Sequence, residues 1–247
     1  MWLAIDMRNS CCRRSLGDPN NMRYYLEKMC IHAIDRSFGQ LLDVYIETFG
    51  SDELLTYIAQ RYIFFPYLDC LDCLCLVCCY YITDKKFSEL VAKLLLLEEL
   101  DMTTSSLSEE PLKALGALLS SFEIIKMEPG DEMFDDFGAL AIAKNMPKLR
   151  HLQLIGNWVT NDGLQAILDG CPYLESLDLR KCFNITLSGN LGKRCAEQIK
   201  NLPHPNDSTH DYGLMAEIFY YGPFDEDGYF FFFLRGDEDD LGDFYFD

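Results

Sequence analysis

Six segments of this chain repeat one spacing of apolar residues, L-x-x-L-x-L, in which Val, Ile, Met or Phe replaces some of the leucines. The triplets are Leu41/Val44/Ile46, Leu71/Leu74/Leu76, Leu97/Leu100/Met102, Phe122/Ile125/Met127, Leu149/Leu152/Leu154 and Leu174/Leu177/Leu179. Their first residues follow one another at intervals of 30, 26, 25, 27 and 25 positions. Trp2, Ile5 and Met7 have the same spacing and extend the series to seven. Such a period indicates a stack of similar units, each of which buries its apolar side against its neighbours.

Three repeats also carry a Cys or an Asn eight positions after the first apolar residue, namely Cys79, Asn157 and Cys182. The pattern L-x-x-L-x-L-x-x-N/C at this period is typical of leucine-rich repeats, in which a short strand is followed by a helix. We expect the Asn or Cys to satisfy backbone groups where each strand turns away. The sequence therefore predicts an α/β fold, a short horseshoe-shaped solenoid with about seven parallel strands on its concave face and helices on its convex face.

Residues that start or stop helices lie between the predicted strands. Asp18 and Pro19 suit an N-cap and a first helical position, and Gly39 suits the end of the same helix. Thr160 and Asp136 are placed as N-caps of two later helices.

The chain divides into three parts by pattern. We predict an N-terminal strand and capping helix (1–40), the leucine-rich repeats (41–202) and an acidic, aromatic tail (203–247). From Phe224 to Asp247 nine acidic residues stand against one Arg. This density of like charge predicts a disordered tail.

Charge and cysteine usage limit the possible functions. The net charge of -19 argues against nucleic acid or an anionic membrane as the main partner, because binding to phosphate needs a basic surface. The 11 cysteines are an odd number and follow no apolar leader, so a secreted disulfide scaffold is disfavoured. No apolar stretch is long enough to span a bilayer. We expect reduced thiols and a cytoplasmic or nuclear location, or both.

Side chains of a strand alternate between its two faces, so residues between the buried leucines should lie together on the solvent-exposed concave face. The candidate binding residues there are Asp43, Tyr45, Glu47, Glu99, Asp101, Lys126, Glu128, His151, Gln153, Ser176, Asp178 and Arg180. Their net charge is negative, which predicts a protein partner with a locally basic surface. An ordinary solvated face is the alternative. Charge reversal at Glu99 and Asp101 is expected to weaken binding while leaving the fold intact.

The cysteine-rich segment that contains Cys70, Cys73, Cys75, Cys78 and Cys79 has enough thiols for a zinc site. However, a strand over residues 71–77 would direct Cys73 and Cys75 to one face, and no second ligand knuckle follows. Structural thiols are therefore the preferred interpretation. The sequence also lacks a phosphate-binding glycine loop, a nucleophile elbow and a His-Glu-x-x-His element. We predict no enzymatic activity, no metal and no cofactor.

Several segments closely resemble plant F-box/leucine-rich-repeat proteins of the Skp1-interacting-partner-19-like type. They are MPKLRHLQL (146–154), LQAILDGCP (164–172), LESLDLRKC (174–182) and IDMRN (5–9). The resemblance covers nearly the whole chain, and the acidic, aromatic tail fits it as well.

The resemblance implies a substrate-recognition subunit of a Skp1–cullin–F-box ubiquitin ligase, in which the repeats hold a protein target and an F-box holds Skp1. The F-box should lie upstream of Trp2, and we expect it to be missing from this chain. Skp1 is then a partner only if an upstream F-box exists. The alternative is a stand-alone leucine-rich-repeat scaffold, or a decoy without an F-box, that is unrelated to ligase assembly.

Overall fold

The computed structural model describes residues 3–8, 19–64, 71–103, 107–108, 111–112, 115, 123–127 and 134–210. Seven strands lie in these ranges: β1 (Ala4–Met7), β2 (Asp43–Glu47), β3 (Cys73–Val77), β4 (Glu99–Asp101), β5 (Ile124–Lys126), β6 (His151–Gln153) and β7 (Ser176–Asp178). The helices with defined bounds are α1 (Pro19–Arg36), α2 (Asp52–Phe64), α3 (Asp84–Val91), α4 (Asp136–Asn145), α5 (Asn161–Gly170) and α6 (Gly189–Gln198).

The strands form one parallel sheet in chain order, from β1 to β7. Sequential parallel strands require a crossover on one side of the sheet. A helix with defined bounds supplies it between every two neighbouring strands except β4 and β5, whose connection lies mostly outside the described residues. The prediction of a short leucine-rich-repeat solenoid is confirmed.

The apolar residues of the repeat pattern form the core between sheet and helices. The middle residue of each triplet lies in register with its neighbours, giving the buried row Ile5, Val44, Leu74, Leu100, Ile125, Leu152 and Leu177. Phe87 of α3 and Leu164 of α5 are among the helix residues that pack against this layer. One continuous core therefore runs through the array, and no unit buries its apolar face alone.

The helix caps are largely those that the sequence indicates. Thr160 is the N-cap of α5, and its hydroxyl accepts a hydrogen bond from the backbone N–H of Asp162. The prediction for α4 was wrong by one residue. Asp135 is the N-cap and accepts from the N–H groups of Phe137 and Gly138, whereas Asp136 is the first helical residue. Two adjacent aspartates suit a cap equally well, so spacing alone does not separate them.

A carboxylate at the first position of three helices binds a Ser or Thr that follows the strand of the next repeat. Each accepts one hydrogen bond from a backbone N–H and one from the hydroxyl of a Ser or Thr. The pairs are Asp52–Thr83 (2.8 and 2.9 Å), Asp84–Ser108 (3.0 and 2.6 Å) and Asp136–Thr160 (2.8 and 2.6 Å). We call this contact the aspartate clamp. It joins neighbouring repeats on the helix side, where backbone pairing of the strands does not reach.

The predicted role of the consensus Asn and Cys is confirmed by their hydrogen bonds. Asn157 donates from Nδ2 to the carbonyl oxygen of Met127 at 3.0 Å. Cys182 donates from Sγ to the carbonyl oxygen of Leu154 at 2.6 Å. Cys79 is completely buried and donates from Sγ to the carbonyl oxygen of Val77 in its own repeat at 3.3 Å. These side chains replace backbone partners that are lost where each strand ends.

After α6 the chain runs beside β7 through Pro205. The N–H to carbonyl bonds are Leu177–Asn201 (2.9 Å), Leu179–Pro203 (3.0 Å) and Lys181–Pro205 (2.9 Å). The first compact unit of the chain ends at Asn206, and the second comprises residues 207–247. The predicted tail begins at residue 203 and the structure describes it only as far as residue 210, so the prediction of disorder for residues 211–247 falls outside the described residues. Within the described ranges, no helix combines the length and the apolar character needed to cross a membrane.

Candidate functional site

The side chains between the core rows lie on the sheet face that points away from the helices, which we call the outer sheet face. Its first row is Asp43, Cys73, Glu99, Ile124, His151 and Ser176. Its second row is Asp6, Tyr45, Cys75, Asp101, Lys126, Gln153 and Asp178. Glu47 ends β2 on the same side, and Arg180 follows β7. Of the candidate residues, Glu128 lies outside the described residues.

The expectation that this whole face is exposed to water was wrong for β3. Cys73, Cys75 and Val77 are buried although they point away from the helices. These side chains are short, and longer ones surround them. Tyr45 is in register with Cys75 on one side, and Glu99 is in register with Cys73 on the other. The outer sheet face is therefore shielded from solvent at β3.

Two carboxylates of the face are buried and already bound. Asp178 is 9% exposed and Arg180 7% exposed, and the Arg180 guanidinium donates to Asp178 Oδ2 from Nη2 at 2.7 Å and from Nε at 3.0 Å. Asp101, also 9% exposed, accepts from the N–H of Thr103 at 3.0 Å and from its hydroxyl at 2.5 Å. Contrary to the sequence-based expectation, charge reversal at Asp101 should destabilise the fold, because it would leave a buried donor pair without its acceptor.

Two more acidic residues are neutralised by ion pairs near the solvent. Lys126 of β5 reaches diagonally to Glu99 of β4 and forms an ion pair with its carboxylate. Asp6 pairs with Arg8 at 2.6 Å. The acidic character of the face is therefore weaker than a count of its carboxylates suggests.

The remaining negative charge concentrates where β2, β3 and β4 begin. Asp43 of β2 lies near Asp72 and Glu99, and burial followed by the repulsion of these two carboxylates raises the pKa of Asp43. Asp72 and Glu98 immediately precede β3 and β4, and the Glu98 N–H donates to the Asp72 carbonyl. Within the described residues, Asp43, Asp72 and Glu98 have no ion pair. A cation brought to this position would relieve their repulsion.

An aromatic contact lies next to this acidic region. The Arg8 guanidinium stacks over the ring of Tyr45 with its central carbon 4.2 Å from the ring centre. Burial, together with the hydrogen bond to Cys73, raises the pKa of the Tyr45 hydroxyl. Tyr and Arg are the side chains that most often dominate binding energy at protein interfaces. This contact and the acidic residues form one contiguous patch over β1 to β4.

The other half of the face, on β6 and β7, is polar and close to neutral. His151 is exposed, while Gln153 and Ser176 are half-buried. The amide of Asn201 donates to the Ser176 hydroxyl at 3.1 Å. At the start of these strands, charges alternate in a row, because Arg150 bridges Glu123 and Glu175, and Lys200 binds Glu175 at 2.7 Å.

The thiols of the cysteine-rich segment are separated by the sheet. Cys73 and Cys75 lie on the outer sheet face, whereas Cys79 lies in the core on the other side. Burial raises the pKa of Cys73 to about 11 and that of Cys79 to about 12, so both thiols stay protonated at neutral pH. Among the described residues, no three His, Cys, Asp or Glu side chains are placed to hold a metal ion. Cys70 lies outside them.

Four residues at or beside the patch were missed by the sequence reasoning, namely Asp6, Arg8, Asp72 and Glu98. Asp6 and Arg8 occupy the fifth and seventh positions of the N-terminal segment, so the alternation rule used for the other strands would have included them. Asp72 and Glu98 precede their strands and have no such signal. Their role depends on which residues of neighbouring repeats lie beside them.

Comparison with known proteins gives a consistent family. No protein-family model matches the chain. F-box protein SKIP19 of Arabidopsis thaliana is 46% identical over 242 residues, which are 97% of this chain and 74% of that protein. Putative F-box/LRR-repeat protein 21 of Arabidopsis thaliana is 44% identical, over 86% of this chain and 70% of that protein. Putative F-box/LRR-repeat protein 23 of the same plant is 45% identical, over 84% of this chain but 45% of that protein.

This identity extends over nearly the whole chain and most of the length of two of these relatives. It agrees with the repeat architecture described above. The chain belongs to the plant F-box/leucine-rich-repeat protein family.

Proposed function

We propose that this chain is a substrate-recognition subunit of a Skp1–cullin–F-box ubiquitin ligase and holds a protein target on its outer sheet face. Two observations support the proposal. Relatives that match most of their length are named F-box proteins. The face itself is a continuous parallel sheet surface with a patch of polar, aromatic and acidic side chains. Repeat arrays of this kind present extended binding surfaces rather than reaction pockets.

The target would present a basic segment to β2, β3 and β4. Asp43, Asp72 and Glu98 supply negative charge without an ion pair of their own among the described residues. Tyr45 and Arg8 supply the adjoining stacked surface. In contrast, Asp178 is already bound to Arg180 and offers little attraction to a cation. We therefore place the recognition of basic groups at the N-terminal half of the repeats.

The proposed subunit has no catalysis of its own. Burial raises the pKa of the Cys73 and Cys79 thiols, which keeps them in the unreactive protonated form at neutral pH. Its action is to bring a bound target close to the enzymes of the ligase. A location in the cytoplasm, the nucleus or both is part of the proposal.

Association with Skp1 separates the ligase subunit from the stand-alone scaffold or decoy. The full chain is co-expressed with a plant Skp1 and analysed by size-exclusion chromatography, with SKIP19 as the positive control. Co-elution in a stoichiometric complex supports the ligase role. Free Skp1 beside a folded chain contradicts it and favours the scaffold or decoy. An in-frame segment that encodes an F-box upstream of Trp2 would explain co-elution with Skp1.

The binding face is tested by proximity labelling in plant cells with matched charge variants. Asp43→Lys with Asp72→Lys reverses the acidic patch. Glu53→Lys with Asp162→Lys changes the net charge equally at exposed helix positions. We expect the patch variant to lose the proteins that the wild type labels and the helix variant to keep them. Equal loss in both variants would show that overall charge, rather than this face, attracts the target.

A further inference from the structure

Helix α1 presents a second surface, on the helix layer and away from the outer sheet face. Its buried side is Leu26, Cys30, Ala33 and Ile34. Its exposed residues recur at spacings of three and four, and they are Tyr24, Tyr25, Lys28, Met29, His32 and Arg36. Such spacings place side chains on one side of a helix. We call this set the α1 outer face.

The α1 outer face differs in charge from the rest of the protein. None of its six residues is acidic, although the chain has a net charge of -19. The two half-buried acids of α1 near it are Glu27 and Asp35, and Asp35 is bound by Arg61 and the Tyr57 hydroxyl. Lys28 and Arg36 have no ion pair within the described residues. The face therefore carries two positive charges that the described chain does not neutralise.

Large apolar side chains accompany these charges. Tyr25 is 63% exposed and Met29 60% exposed, although both are large side chains one turn apart. The rings of Tyr24 and Tyr25 meet edge to face with centres 5.8 Å apart, and Lys28 Nζ lies 5.4 Å from the centre of the Tyr24 ring. Single exposed apolar residues are common on protein surfaces, but a contiguous group indicates an interaction site. Tyr, Met and Arg are also enriched in protein interfaces.

We propose that the α1 outer face docks an acidic segment of a partner protein that also carries apolar side chains. Carboxylates of the partner would pair with Lys28 and Arg36, and its apolar side chains would cover Tyr25 and Met29. Charge complementarity selects this occupant. At physiological ionic strength, charges act over about 8 Å, so the local positive pair attracts an acidic segment despite the overall negative charge. A phosphate-rich membrane or nucleic acid would meet the acidic remainder of the protein over a much larger area.

Binding is measured by fluorescence anisotropy with the full chain and labelled probes of defined chemistry. The main probe is a short synthetic peptide that alternates Glu with Phe and Leu. The comparison probes are polyglutamate, the same peptide with Lys in place of Glu, single-stranded DNA and phosphatidylserine vesicles. We expect the first peptide to bind and each comparison probe to bind at least about tenfold more weakly.

Matched variants locate the binding. Lys28→Glu with Arg36→Glu removes the charge, and Tyr25→Ser with Met29→Ser removes the apolar surface. Each pair should raise the Kd for the first peptide by about tenfold or more. Lys85→Glu in α3 with Lys93→Glu just after it makes the same charge change at exposed positions and should leave the Kd within about twofold. All six substituted side chains are exposed, so we expect none of the variants to change the fold. An unchanged thermal unfolding temperature would confirm this.

Three results would overturn the proposal. The first is no binding of the Glu–Phe–Leu peptide to the wild type. The second is equal weakening by the variant with Lys85→Glu and Lys93→Glu, since that would make the attraction a property of overall charge. The third is preferential binding of DNA or vesicles, which would assign the surface to another class of partner. None of these results bears on the outer sheet face or on Skp1 association.

Discussion

Gly163 gives a sharp test of the aspartate clamp. It lies in the first turn of α5, where replacing Gly with Ala ordinarily stabilises a helix by about 1 kcal/mol. Here a Cβ atom at Gly163 would lie 2.2 Å from Oδ1 of Asp136 and 2.9 Å from a methyl carbon of Val159. The carboxylate stands there because it accepts the two hydrogen bonds from Thr160. We therefore expect Gly163→Ala to displace the carboxylate and destabilise the protein.

The magnitude follows from the hydrogen bonds that are lost. A hydrogen bond to a charged group contributes about 1.5–3 kcal/mol, so the two bonds would contribute about 3–6 kcal/mol if Asp136 were fully buried. Because Asp136 is partly exposed, we take about 2–3 kcal/mol for the two bonds together. The gain in helix propensity offsets about 1 kcal/mol. The expected net loss in the free energy of unfolding is about 1–2 kcal/mol.

Equilibrium urea unfolding in a reducing buffer measures this change, and a double-mutant cycle assigns its cause. Asp136→Ala alone should cost about 2–3 kcal/mol. In that background Gly163→Ala should be close to neutral, because the carboxylate is gone and only the Val159 contact remains. Asp162→Ala, an exposed neighbour outside the clamp, serves as the control. If Gly163→Ala stabilises the wild type, or if the two changes are additive, the clamp does not occupy that space.

Four further predictions concern the core, two carboxylates and the thiols. Leu177→Ala should cost about 2–5 kcal/mol in the same unfolding assay, because Leu177 is completely buried at the shared core. The carboxyl of Asp43 should titrate by NMR above its ordinary range, so its ionisation destabilises the fold as pH rises, and Asp43→Asn should be stabilising at neutral pH but not in acid. Glu175 should titrate below its ordinary range because Lys200 and then Arg150 hold its charged form, so its contribution is present at neutral pH and is lost in acid. Iodoacetamide at neutral pH should leave Cys79 and Cys182 unmodified until urea is added, since burial raises the pKa of each to about 12; rapid labelling of the native protein would contradict their burial.

The sequence by itself determined the architecture and the register of the core. The spacing L-x-x-L-x-L requires a strand whose alternate side chains are buried, and its recurrence places each strand parallel to the next. The positions of Asn157 and Cys182 likewise indicated backbone hydrogen bonds that the structure contains. These features depend on residues close together in the chain, and repetition confirms each one several times.

Only the tertiary structure decided which charges of the candidate face remain available. Lys126 reaches diagonally to Glu99 on the neighbouring strand, and Asp136 binds Thr160 of the next repeat. The partners come from successive repeats whose spacing varies between 25 and 30 residues, so no fixed offset identifies them. The burial of Asp101 also depends on its neighbours. The L-x-x-L-x-L spacing within each repeat determines which apolar side chains are buried. The pairing of charges depends instead on how side chains of neighbouring repeats lie relative to one another, which that spacing does not specify.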